Sequence, residues 1–481
     1  MEPFEYEGIF WTVSDPGRRL AGRLSYTATE GAVLKLVVSF NTDLQEAFHD
    51  IGMMEIRING AAGGKILTLE RCLLRTTTLQ SADVVLSEYV VAEVFSGVQF
   101  QVDEDISFDD LQIRFDQLTY WVNRRPFTVS SETEIPNDFS TETRASITYE
   151  IQPIEVTQAQ GAEVSLGFAR KIGGDAVTEM RIGHQAQLGL HYAETRSFAE
   201  IAMDINGLQD LVTLAVDAPT VPTEITLRSS DVTRESPSGT AIPVPIAFYS
   251  ANLAEYVRRD NSQSLGDMFF TFDQIGGINT VAKWLTISRQ YRVVLGFLLT
   301  VMYSTRLYEE NRYSNVISAA ESYHRMRFPN EVKRKSEFRS YRRKLVKAVR
   351  IGVGPSAANW VGDQLLYSNE PRLRIRLSEL ANHAGSAFTA LIGDIEVWAS
   401  VVTMARNRLT HHDEHQPFER RRGDLLFLAD SLYVLVMLCI FKECEVPDDV
   451  LINIQDNRRI QFIHEKLEEI IPRLSRFTRR A

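Results

Sequence analysis

Near its C-terminal end the chain reads MARNRLTHHDEH from Met404 to His415, which gathers two guanidinium groups, a carboxamide and three imidazoles into twelve residues. Arginine is charged at every working pH, and its planar fork of donors matches phosphate oxygens. Histidine, with an unperturbed pKa of roughly 6.5, takes a proton and gives it back near neutrality. Such groups suit metal-free cleavage of RNA. That reaction removes the proton of a ribose 2′-hydroxyl, stabilises a more negative phosphorane and protonates the departing 5′ oxygen. In this scheme His411 carries the proton, Arg406 stabilises the developing charge, and Asn407 orients the phosphate or the imidazole. On a regular helix Arg406 and His411 lie about 140° apart, so they face different ways unless the helix ends between them. One copy of the segment is then not enough.

Spacing alone does not single out this pair, because Arg376 with His383 and Arg459 with His464 stand at comparable separations. The polar Asn407 directly after the arginine does, since Leu377 and Ile460 follow the other two. His411 and His415, four apart, offer a second reading in which two imidazoles share a metal on a helix. No HExxH or cysteine-based pattern accompanies them, so a His-based metal-dependent hydrolase is an alternative, and no metal or cofactor is expected. A third reading is a catalytically inactive module that only binds RNA or protein. Residues 325–350 hold eleven Lys or Arg against two Glu, interleaved with Phe328, Phe338 and Tyr341. Phosphate contact with base stacking is one reading and a solvated helix face the other. The RNA-binding candidates are Lys333, Arg334, Lys335, Arg342 and Arg343, with Arg408 and Arg421 beside the motif. The run Gly60 to Lys65 (GAAGGK) mimics a phosphate loop, but its glycines are one residue too close and Ile66 replaces the required hydroxyl residue. His49, His184 and His191 lack evident partners and are assigned nothing.

The elements that must position these groups follow from composition and periodicity. At 481 residues, 44% hydrophobic and 24% charged, the chain has the composition of a globular protein of two or three domains. The acidic start MEPFEYEGIFW does not read as a secretory signal, and the longest apolar runs, Val293 to Tyr303 and Leu432 to Phe441, read as buried helices rather than membrane spans. Three cysteines, Cys72, Cys439 and Cys444, suggest neither a disulfide framework nor a zinc site, and a cytoplasmic, reducing setting is expected. Charge divides the chain: residues 1–280 hold 20 basic and 40 acidic side chains (net −20), whereas 281–481 hold 32 and 23 (net +9). The basic half suits a phosphate-bearing partner. Up to about residue 230 short runs such as VLKLVVSF (Val33 to Phe40), KILTL (Lys65 to Leu69), VFSGVQFQV (Val94 to Val102) and LVTLAV (Leu211 to Val216) read as strands. Ser229 to Pro245 reads as a long loop. Beyond about residue 267 helices are predicted over Gly277 to Leu299, Asn315 to Arg327, Leu373 to His383, Ala387 to Leu409, Arg422 to Glu443 and Val450 to Ile470. The expected architecture is α+β: a β-rich, sandwich-like domain over residues 1–262, then an all-α helical bundle over residues 263–481.

The order Arg406, Asn407, three residues, His411 resembles the motif of the HEPN superfamily. The likeness is closest to the ApeA-like branch. It rests on AExYH at Ala320 to His324 and, in the β-rich half, on GIFW (Gly8 to Trp11), GRL (Gly22 to Leu24), GKILTL (Gly64 to Leu69) and FDDLQIRFDQLTYW (Phe108 to Trp121). The resemblance implies a C-terminal HEPN ribonuclease domain that forms a homodimer, two motifs lining one cleft. It also implies bacterial anti-phage defence by abortive infection, with tRNA or another host RNA as substrate. In the family the helix carrying Glu321 packs near the motif helix, so Glu321 is a candidate to orient His411 or Arg406, a buried salt bridge being the alternative. Such an enzyme must be held inactive until triggered. The acidic N-terminal domain is expected to do this, by docking on the basic half or by binding a phage-derived protein.

Overall fold

The computed structural model describes residues 1–40, 51–52, 55–81, 84–101, 106–134, 142–175, 177–237, 239–251, 264–304, 306–366, 368–411 and 423–478. The chain forms two compact units, Met1–Arg289 and Gln290–Ala481.

In the first unit, strands β1 (Phe4–Thr12), β2 (Leu20–Thr27), β3 (Gly31–Leu36), β4 (Glu55–Ala62), β5 (Lys65–Ser81) and β6 (Val84–Ser96) pair antiparallel in the order β1-β2-β3-β6-β5-β4 and back to β1. The sheet therefore closes on itself as a six-stranded barrel, where a two-sheet sandwich was expected. Alternate side chains point inward, and Phe10, Leu24, Leu34, Leu67, Leu69 and Cys72 fill the interior. Each such side chain stabilises the fold by on the order of 1.5–3 kcal/mol on full burial. Ala62 and Lys65 pair across Gly63-Gly64, both with positive φ, so GAAGGK is a tight hairpin turn and not a phosphate loop.

A second run of antiparallel strands leaves the barrel from β6. In spatial order it is β16 (Ile246–Ser250), β13 (Pro222–Arg228), β7 (Ser107–Phe115), β12 (Glu179–Ser197), β11 (Ala162–Asp175) and β10 (Glu155–Ala159). The hairpin of β8 (Phe127–Glu134) and β9 (Glu142–Tyr149) stands as a separate sheet, as does that of β14 (Thr233–Glu235) and β15 (Ala241–Pro243), which lies inside the segment read as a loop. Helices α1 (Leu118–Val122) and α2 (Phe198–Val216) complete this half. The LVTLAV run is the buried end of α2, not a strand. The helix is set by a capping box at Ser197 and Glu200 upstream of the run.

The division at 289/290 comes later than the 262/263 boundary read from the change of periodicity. The reason is packing. Phe269 and Phe270 both donate to Ala215 O, Trp121 Nε1 donates to Phe270 O at 3.0 Å, and Trp284 Nε1 on helix α3 (Ile278–Gln290) donates to Gly207 O at 2.6 Å. A helical segment thus belongs to the β-rich unit.

The second unit is all helical: α4 (Arg292–Tyr303), α5 (Glu309–Arg327), α6 (Lys335–Gly352), α7 (Pro355–Gln364), α8 (Leu373–Ala384), α9 (Ser386–Ile392), α10 (Ile395–His411), α11 (Asp424–Glu443), α12 (Asp448–Leu451) and α13 (Arg458–Thr478), with a 3₁₀ turn at Ile452–Asp456. α11 is the core of the bundle. It is long and apolar enough to cross a membrane, yet Leu428, Leu432, Leu435 and Leu438 are wholly buried and most side chains on its other faces are buried too. Two helices expected to be continuous are broken, α3 from α4 at Tyr291 and α9 from α10 at Gly393. The last predicted helix is split into α12, the 3₁₀ turn and α13.

Candidate active site at the end of helix α10

α10 is held in place before it reaches the motif. Trp398, Val401, Val402 and Ala405 are fully buried, and Trp398 Nε1 donates to Ser431 Oγ at 3.0 Å while its ring meets Phe388 edge-on. Tyr313 of α5 is also fully buried, and its hydroxyl donates to Val402 O at 2.6 Å. Arg406 follows one turn later on the same face and is half-buried. Burial drives the Tyr313 phenol well above its ordinary pKa, and the nearby Arg406 charge pulls against that rise. Asn407 is exposed, and the Arg408 guanidinium lies 5.8 Å from the ring centre of Phe477 on α13.

The helix runs unbroken from Ile395 to His411. It does not end between Arg406 and His411, so their Cα positions stay about 140° apart around the axis and one copy of α10 does not aim both at one point. The His411 side chain lies outside the described residues, as do His412, His415 and Arg421. The metal-sharing alternative rests on those residues.

Buried charges brace the surrounding helix ends. Asp430 takes Arg312 at 2.7 Å and Arg459 at 3.2 Å, and Asp424 takes Arg473 at 2.6 Å. Glu309 at the start of α5 accepts from the backbone of Gly423, just before α11, at 3.3 Å. Losing Arg473 would leave the buried Asp424 carboxylate without its ion pair at a cost of about 3–5 kcal/mol, whereas Asp430 keeps one arginine when it loses the other.

Glu321 lies eight residues beyond Tyr313 on α5, about 12 Å along the axis. Burial lowers the pKa of Arg376 on α8, and Glu321 is one of the nearby carboxylates that oppose this. Arg376, 3% exposed, donates to Nδ1 of the fully buried His324 at 3.0 Å and to Pro371 O at 3.0 Å, and also to Asn330 Oδ1. His324 Nε2 in turn meets Glu379 at 2.6 Å. An arginine donating to Nδ1 leaves the proton on Nε2, so His324 is held as a neutral imidazole. Burial lowers its pKa, with Glu379 opposing. His383, the spacing partner of Arg376 in the sequence, instead meets the Tyr323 hydroxyl at 3.3 Å, and that hydroxyl donates to Glu443 at 2.7 Å. Sequence reasoning missed Tyr313 and the His324–Arg376–Glu379 network. Burial of a histidine beside an arginine more than fifty residues away has no local signature.

The basic segment resolves into unlike parts. Lys333 pairs with Glu337 and Lys335 with Glu331. Arg342 turns inward and donates to Gly362 O at 2.6 Å. Arg334 stands just before α6 without a side-chain capping bond, and it and Arg343 are exposed.

Residues 5–284 match the ApeA N-terminal domain 1 family, and residues 314–450 match the Apea-like HEPN family. The chain is an ApeA-like HEPN protein. The HEPN match takes in Arg406, Asn407, His411, Glu321 and Arg376, and it starts one residue after Tyr313. The helical unit is thus a HEPN nuclease-type module, and the barrel with its sheet extension is the ApeA N-terminal part. Comparison with curated proteins and with solved structures finds no match to the chain.

Proposed function

We propose that this protein is a metal-independent endoribonuclease that acts in the cytoplasm in bacterial anti-phage defence, cutting tRNA or another host RNA to abort infection. The observation that carries this reading is the coincidence of the Arg406-Asn407-x3-His411 order with the terminal turns of α10, inside the HEPN family match. Because the Cα positions of Arg406 and His411 stand about 140° apart around a single helix, the reading includes a homodimer in which two α10 ends face each other across the scissile phosphate. Arg406 then stabilises charge on the phosphorane, Asn407 orients the phosphate or the imidazole, and His411 moves the proton.

The test is chemical. Protein freed of metal should cut RNA in EDTA and leave 2′,3′-cyclic phosphate ends, and His411→Ala should lower kcat by about 100-fold or more. Loss of cutting in EDTA would transfer the assignment to the His-based metal hydrolase. The continuous helix gives one further reading specific support. A protomer that stays monomeric in sedimentation at working concentration would be an inactive module that binds RNA or protein, and His411→Ala would then retain full protection in cells.

A further inference from the structure

α6 presents two unlike faces. Phe338, Leu345, Val346 and Val349 are half-buried toward α7, where the Val346 side chain lies close to Gly362. The outward face carries Arg339, Arg343, Lys347 and Arg350, all exposed. Their spacing of four, four and three residues keeps them within an arc of about 80° and strings them over about 17 Å. Among the described residues none of the four is ion-paired, in contrast to Lys333 and Lys335. Only Arg343 belongs to the set expected from the sequence. Trp360, 64% exposed on α7, adds an open aromatic face to the same hairpin. The stripe lies on a different helix from the motif, reached from the end of α5, and Tyr313, beside Arg406, and Arg327, at that end, are separated by about 21 Å of helix.

A row of unpaired cations one helical turn apart suits a partner whose negative charges repeat along a line. A bilayer is the poorer fit, because the apolar side of α6 is already spent on α7 and what faces outward is cationic. We propose that the outward face of α6 is an RNA anchor that grips the phosphate backbone of the substrate away from the scissile bond, so that long or folded RNA is bound in preference to short oligonucleotides. This rests on the ribonuclease reading for its substrate, though the anchor is measured without cleavage.

The experiment uses full-length His411→Ala protein, with and without the combined changes Arg339→Gln, Arg343→Gln, Lys347→Gln and Arg350→Gln. Each is titrated with a fluorescent tRNA-length transcript between about 50 and 200 mM salt. The four changes should weaken binding at least about tenfold and flatten the dependence of log Kd on log salt by about 3 to 4, since each lost phosphate contact removes about one unit of slope. Arg343→Gln alone should remove about one unit, which keeps the test valid if circular dichroism shows that the fourfold variant has lost helix. Unchanged affinity and slope would overturn the anchor. So would binding to phosphatidylserine vesicles that the four changes abolish while RNA binding persists. The two readings fail separately. Protein with His411 intact that binds the transcript through this stripe but does not cut it refutes the nuclease and leaves the anchor. A His411-containing fourfold variant that cuts the transcript and an oligonucleotide of about ten residues in the wild-type ratio of kcat/KM refutes the anchor and leaves the nuclease.

Discussion

Tyr313 links the candidate site to the core more directly than any residue the sequence suggested. Its hydroxyl holds the carbonyl of Val402, and Arg406 stands one turn further along the same face. Tyr313→Phe keeps the ring and loses only that bond, so we expect a stability loss of about 1 kcal/mol in urea unfolding. If α10 is positioned as proposed, RNA cleavage falls as well, while dimer sedimentation is unchanged. The buried histidines predict a pH response. Burial depresses the pKa of both His324 and His383 below the ordinary value. The unfolded chain therefore takes up protons first, and the stability they contribute is present above about pH 6.5 and lost as the pH falls through the folded-state values. Thermal unfolding at about pH 8 and pH 5.5 should show a lower midpoint at acid pH, and His383→Gln should narrow the difference. At this scale the sequence offers Arg406, Asn407 and His411 as candidates because they are local. It did not reveal the surroundings of Arg376, which the packing of α5 on α8 brings to His324.

The helices and strands were legible where periodicity alone decides them and not where a cap or break does. The apolar pattern from Ala387 to Leu409 is continuous, yet the two helices it forms meet at a bend of 67°. Gly393 adopts φ of 72°, and Asp394 begins α10 by accepting the backbone N–H of Val397 at 3.0 Å. Both signals, a glycine followed by a capping residue, were present in the sequence beneath the stronger apolar rhythm. Gly393→Val forces a branched side chain into the left-handed region, and we expect it to destabilise the protein by about 1–2 kcal/mol in chemical unfolding. It should also reduce RNA cleavage, because the bend sets the direction of α10. α2 shows the same lesson. Its last six residues, Leu211 to Val216, form a short unbroken apolar run that reads as a buried strand, while the capping box that starts the helix stands fourteen residues ahead of Leu211, at Ser197.

At the scale of the whole molecule, the order β-rich then helical was readable from composition, but the closed barrel was not. Ring closure depends on β1 meeting β4 and β5 meeting β6, pairings that no single run of residues specifies. The charge split, −20 over residues 1–280 against +9 over the rest, motivates the proposal that the N-terminal unit restrains the nuclease until a phage-derived protein binds it. The unit division gives that proposal a sharper test than the sequence boundary did. Removing residues 1–289 should raise RNA cleavage and growth toxicity, and equal activity and toxicity with and without them would end the idea.

β6 pairs with β5 along one edge and with both β3 and β16 along the other, so it is a stave of the barrel and the root of the extension at once. β3 takes Ser87 to Val91 and β16 takes Glu93 to Ser96, so successive stretches of one edge close the barrel and carry the extension. A change of twist in β6 is therefore passed to the ring and to the strands outside it alike.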